Sequence, residues 1–177
     1  MKKLFVHIPK TGGQSVFSII DDPWTRTFPF RHDPLFVLEI NNQISDDVFK
    51  FCLVRNPYKR TFSYYKHFLN QNELSNITFE EFLYNLKKKT YFKNTPMLLY
   101  PQSFYVYDLN CDISLNIFKY EKINRLKKIL KKQIPHLNKG NYTTSEYYHS
   151  YTPQNIDSVK RLFECDFDLF DYSMEFV

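Results

Sequence analysis

The segment Leu4-Phe5-Val6-His7-Ile8-Pro9-Lys10-Thr11-Gly12-Gly13-Gln14-Ser15 combines residue types that hold an anion. An apolar run delivers the chain to Pro-Lys-Thr-Gly-Gly, and Ser15 follows at a helix head. Glycines let main-chain N–H groups approach an anion closely, a helix start adds positive partial charge, and Lys10 adds a full one. Only three glycines occur in 177 residues, so the adjacent pair Gly12-Gly13 has a backbone task. The order of residues separates this loop from the GxxxxGK[ST] loop of common nucleotide hydrolases, because Lys10 precedes the glycines. Lys10, the N–H groups of Thr11, Gly12, Gly13 and Gln14, and the hydroxyls of Thr11 and Ser15 are the expected ligands of a terminal phosphate-like group. The bland alternative is a Pro-Lys turn leading into a helix.

A second constellation is Phe51-Cys-Leu-Val-Arg55-Asn-Pro-Tyr-Lys-Arg-Thr-Phe-Ser63-Tyr-Tyr65. Arg55 stands at the carboxyl end of an expected strand, where open α/β sheets bind their ligands. Its guanidinium can grip a phosphate with a bidentate fork. Ser63, in the second turn of the helix that begins at Pro57, can donate one hydroxyl. A strand–helix junction with solvated Arg55, Lys59 and Arg60 is the alternative.

Together, the two segments resemble the paired signatures of sulfotransferases that use 3′-phosphoadenosine 5′-phosphosulfate (PAPS). HIPKTGGQS is similar to the loop that holds the 5′-phosphosulfate. RNPYKRTFSYY is similar to the element that holds the 3′-phosphate, with Arg55 and Ser63 eight apart. The wording fits best the branch with carbohydrate 2-O-sulfotransferases and their small bacterial and viral relatives. Phe118-Lys-Tyr-Glu121 resembles the family's third core strand, and Asp166-Phe-Asp-Leu-Phe-Asp-Tyr172 its C-terminal end. Leu137-Asn138-Lys139 stands where the family has a loop over the cofactor, which adds Asn138 and Lys139 to the implied cofactor ligands.

The resemblance implies sulfuryl transfer from PAPS to an acceptor hydroxyl, that of a carbohydrate in this branch, with PAP as product. An in-line displacement of this kind needs a base for the hydroxyl proton, and histidine is best tuned near neutral pH. The candidates are His7, His32, His67, His136 and His149. His7, inside the first strand, suits a core role. His32, in Phe30-Arg-His-Asp-Pro34, falls in the region of the family's catalytic histidine and is the expected base, with His149 or an acid such as Glu39 as alternatives. Lys10 is expected to neutralise charge on the leaving oxygen. No metal is expected, since no carboxylate cluster suits Mg²⁺.

These residues need a scaffold. Residues 4–8 and 51–54 read as buried strands and 114–120 as a third. Helices are expected over 14–20, over 57–70 with Pro57 at its first position, from the Thr78-x-x-Glu81 capping box to Lys88, over the basic stretch 122–133, and from Thr152-Pro153 to Phe163 as the last. Residues 21–34, with Pro23, Pro29 and Pro34, read as a loop, and 134–152 as a long one. Strands alternating with helices predict an α/β, P-loop-like three-layer fold with a central parallel sheet flanked by helices, as one domain over 1–177.

Composition bounds the function. Hydrophobic residues make up 43% of the chain, enough for a core rather than disorder. The net charge of +5 is uneven: Lys119–Lys139 is basic and Glu164–Glu175 acidic. A basic middle suits an anionic ligand, and an acidic tail argues against a general nucleic-acid binder. Lysines on 122–133 could attract a polyanion, although a solvated helix face is the simpler reading. Cys52, Cys111 and Cys165 lack CxxC spacing, which predicts a reduced compartment and no zinc site. No apolar run reaches 18 residues, and the stretch after Met1-Lys-Lys is too short for a signal peptide, so a cytoplasmic location is expected. The rival readings are a small P-loop kinase, which would want a Lys after the glycines and an Mg²⁺-binding acid, and a non-catalytic nucleotide or polyanion binder on the same fold.

Overall fold

The computed structural model describes residues 2–20, 32–42, 44–45, 47–70, 77–88, 100–137 and 140–177. The described chain gathers into two compact units, Met1–Arg55 with Gln102–Asn138, and Asn56–Pro101 with Lys139–Val177.

The first unit is α/β. Strands β1 (Lys3–Val6), β2 (Phe49–Val54) and β3 (Asn116–Lys119) form a parallel sheet in the order β1-β2-β3. Register pairs Val6 with Cys52 and Val54 with Lys119, so all three strands end at one edge. The continuous apolar run Phe51-Cys-Leu-Val is fully buried, as expected of a central parallel strand. Helices α1 (Gly13–Phe17) and α5 (Asn124–Leu130) pack Val16, Phe17, Leu126 and Leu130 against Phe5, Phe51 and Leu53. A further helix, α2 (Leu35–Asn41), follows Pro34 and buries Leu35 and Leu38; nothing in the sequence reading foresaw it.

The second unit is helical and held by aromatic rings. It comprises α3 (Pro57–Asn70), α4 (Phe79–Lys88), α6 (Thr144–Ser150), α7 (Pro153–Leu162) and α8 (Glu164–Leu169). Tyr58, Phe62, Phe79, Phe82, Tyr147, Tyr151 and Phe167 share its core. Arg60 and Asp166 are an ion pair inside it, 3.8 Å apart with side chains 2% and 0% exposed. Arg60, solvated in the alternative reading of this segment, is buried, because Asp166 and the Tyr100 carbonyl receive it.

Boundaries follow capping chemistry. Thr78 and Glu81 form the expected capping box, with Glu81 N–H donating to Thr78 Oγ1 at 3.2 Å and Thr78 N–H to the Glu81 carboxylate at 2.7 Å. Thr152 caps α7 as expected, but α7 is not last: the chain breaks at Phe163 and continues as α8. The expected loop 134–152 contains α6, started by a second box, Thr143 with Glu146. Helix α5 is shorter than 122–133 because Lys131 turns left-handed at φ 51°. Helix α1 stops at Phe17, where the Ser18 hydroxyl bonds back to the Ser15 carbonyl. The expected loop 21–34 lies mostly outside the described residues.

Candidate active site

Parallel strands place the residues that follow them side by side. The first unit uses this directly: the loop of Lys10 follows β1, Arg55 follows β2, and Tyr120 follows β3. The Arg55 guanidinium donates through Nη1 to the Lys10 carbonyl at 3.2 Å. It also lies over the Tyr120 ring, 5.0 Å from the centroid. Arg55 is fixed from behind by Gln102, which is fully buried. Arg55 N–H donates to Gln102 Oε1 and Gln102 Nε2 donates to the Arg55 carbonyl, both at 2.8 Å. One side chain thus supplies both bonds that a further strand residue would have made.

The loop is bent by two left-handed residues, Lys10 at φ 64° and Gly12 at φ 89°. A non-glycine residue there is uncommon and is held by its surroundings. Gly12 is needed for its φ and for space: a Cβ would lie 2.7 Å from Tyr120 Cε2. A Cβ on Gly13 would fall onto the His7 ring. His7 is buried among Phe5 and Phe17, the core role expected of it, and it acts as the floor under the loop. The Thr11 hydroxyl, expected as an anion donor, instead donates to the Ile8 carbonyl at 2.8 Å, so Thr11 offers its main chain. Ser15 Oγ accepts from Leu137 N–H at 3.0 Å and keeps its own proton for donation. With only five residues in α1, the formal cations outweigh any helix dipole.

Electrostatics mark this loop. Burial, and secondarily the Arg55 charge beside it, lower the Lys10 pKa to about 8. Two cations held together in a partly buried site are relieved by a bound anion, so the donor set suits a phosphate or sulfate group.

His32 joins the same unit. Its Nδ1 is 3.0 Å from the His7 carbonyl, and the two rings are 4.3 Å apart. A carbonyl only accepts, so Nδ1 carries the hydrogen and Nε2 bears the lone pair of the neutral ring, the form a base requires. Glu39 is committed elsewhere: it pairs with Lys50 at 2.7 Å, near the amino end of β2 and thus at the opposite end of the sheet from Arg55. His149 lies on α6 in the other unit, its Nδ1 held by the Ser145 carbonyl at 2.8 Å. Ser63 is half-buried in the second turn of α3, whose start Asn56 caps by accepting from Tyr58 N–H and Lys59 N–H. Asn138 and Lys139 lie outside the described residues. Among the described residues no group of three His, Cys, Asp or Glu could hold a metal ion, and no helix is long and apolar enough to cross a membrane.

Sequence reasoning missed Gln102 and Tyr120, and it weighed His136 only as a base, whereas its Nε2 bonds the Tyr120 hydroxyl. Tyr120 was open to the same strand-end logic that singled out Arg55. Gln102, 47 residues from its partner, carries no local signal.

A sequence model of the sulfotransferase family matches residues 2–173. The chain belongs to the sulfotransferase family. No curated protein matches its sequence. Membership makes this sulfotransferase a transferase that moves a sulfuryl group to a hydroxyl-bearing acceptor. The matched span contains the Lys10 loop, the Arg55 strand end, Ser63 and Tyr120, and the parallel sheet is the scaffold that the alternation of strands and helices predicts.

Proposed function

We propose that this sulfotransferase takes its sulfuryl group from PAPS, acts as one domain over 1–177, and delivers to a carbohydrate hydroxyl. The observation that carries the donor is the clustering of Lys10 and Arg55, two cations in a partly buried loop site with the Lys10 pKa lowered. When bound, PAPS supplies a sulfuryl group already activated on a 5′-phosphate. Main-chain N–H groups of residues 11–15 hold the phosphate at that end. Arg55 and Ser63 select a 3′-phosphate, a pairing that rests on their spacing in the sequence, and Asn138 and Lys139 add to the cofactor site by resemblance.

His32 removes the proton of the acceptor hydroxyl at Nε2, the nitrogen left basic by the bond of Nδ1 to His7. Lys10 neutralises the negative charge that develops on the departing oxygen. Charge in such a transfer spreads over equatorial oxygens, so positioning and electrostatics carry most of the catalysis. The carbohydrate acceptor rests on the resemblance of HIPKTGGQS and RNPYKRTFSYY to the 2-O-sulfotransferase branch.

Incubation with PAPS and a panel of saccharide, lipid, phenolic and small alcohol acceptors, read as PAP released, tests this function. Saccharide-dependent release that is abolished in His32→Ala, while PAP binding persists, is the expected result. Undiminished transfer in that variant moves the base elsewhere, and release driven only by non-saccharide acceptors overturns the carbohydrate reading.

A further inference from the structure

Tyr120 touches both halves of the anion site. Its ring lies beneath the Arg55 guanidinium, and its edge fills the space a Cβ on Gly12 would need. Its hydroxyl is 2.8 Å from His136 Nε2. His136 belongs to a segment fastened on either side: Ile134 is buried against the Phe5 and Phe51 core, and Leu137 N–H donates to Ser15 Oγ at 3.0 Å. The end of β3 is thereby tied to the Lys10–Ser15 loop through one phenol and one imidazole.

This matters because Arg55 stands beside a like charge. Repulsion from Lys10 pushes the guanidinium away, and its rotatable bonds give it places to go. The Lys10 carbonyl holds one edge of the fork, and the Tyr120 ring offers the cation a favourable surface. A guanidinium oriented before a ligand arrives loses less rotamer freedom on binding.

We propose that Tyr120 is a positioning residue that orients Arg55 for the 3′-phosphate, and that His136 anchors Tyr120. The pair then sets how strongly the site prefers a nucleotide bearing a 3′-phosphate over one that lacks it. The proposal rests on the reading of Arg55 as the 3′-phosphate ligand.

Calorimetric titration of PAP and ADP into the wild-type protein, Tyr120→Leu, Tyr120→Phe, His136→Ala and the Tyr120→Phe/His136→Ala double variant tests it, with thermal melts beside each. Tyr120→Leu is expected to weaken PAP about tenfold and ADP by clearly less, since beyond the packing against Gly12 it removes the ring under the cation. Tyr120→Phe and His136→Ala are each expected to weaken PAP about threefold, and the double variant no further, because both remove the same bond. Equal losses for PAP and ADP in Tyr120→Leu indicate a merely structural role and overturn the proposal. If Tyr120→Leu does not fold, the cycle decides alone: losses that add in the double variant overturn it. A wild-type protein that binds PAP no tighter than ADP overturns the Arg55 reading itself, and is recognised before any variant is measured.

Discussion

The Arg55 guanidinium donates to the main-chain carbonyl of Lys10, so the two cations of the site are joined through a neutral acceptor rather than kept apart. The contact fixes the loop after β1 to the end of β2, and burial, with the Arg55 charge second, costs Lys10 part of its affinity for protons. Two cations in a partly buried site repel one another, and on the proposed function a bound anion relieves that tension.

That tension predicts a pH dependence. The Lys10 pKa is lowered to about 8, against 10.5 for an ordinary lysine, first by burial and then by Arg55. Lys10 is charged below about pH 8 and loses its charge above it, so PAP affinity should fall as pH rises through 8. Binding should also be accompanied by proton uptake near that pH, since a bound anion raises the Lys10 pKa. The stability sign is opposite: between about 8 and 10.5 the unfolded chain binds the extra proton, so the free protein gains stability from Lys10 as pH rises. PAP titrations and melts from pH 6.5 to 9.5 check both trends, and Lys10→Met should flatten each.

The floor of the loop gives a second expectation. Gly13→Ala places a methyl on the buried His7 ring, which Phe5 and Phe17 hold in place. Overpacking of this kind costs about 1–3 kcal/mol. The methyl also lifts the main chain that is to hold the 5′-phosphate, so PAP affinity should fall along with the melting temperature. Normal affinity and stability in Gly13→Ala would show that the loop sits elsewhere relative to His7.

Gln102 should matter more than its distance in sequence suggests. Gln102→Leu strips both bonds from the Arg55 main chain and leaves an N–H and a carbonyl without that partner. The expected loss of stability is about 1–3 kcal/mol, read from denaturant unfolding. Gln102→Glu keeps an acceptor for the N–H but, when ionised, has no donor for the carbonyl and buries a charge, so it too should lose stability relative to wild type.

The parts of this molecule readable from sequence were those governed by local chemistry. Pro57 at a helix start, the Thr78–Glu81 box, Thr152-Pro153 and the buried run 51–54 each predict their element, and the strand-end rule put Lys10 and Arg55 at one edge of a parallel sheet. The misreadings have physical causes. Thr143 and Glu146 form the same kind of box as Thr78 and Glu81 but lie in a polar stretch without an obvious apolar stripe, so the sequence of α6 reads as loop. The Thr11 hydroxyl reads as an anion donor by composition, yet a carbonyl three residues earlier takes its proton, which leaves the main-chain N–H for that task. Gln102 and the Arg60–Asp166 pair depend on contacts across 47 and 106 positions, which no local pattern encodes.

The most direct measurement is a pair of titrations, PAP and ADP into the wild-type protein and into Arg55→Ala, at pH 7 and one ionic strength. A site built for phosphates at both ends of an adenosine binds PAP at least about tenfold tighter than ADP, and Arg55→Ala erases that difference, since charge-assisted bonds of this kind contribute about 1.5–3 kcal/mol. Equal affinity for PAP and ADP in the wild type, or a preference that survives Arg55→Ala, contradicts the account.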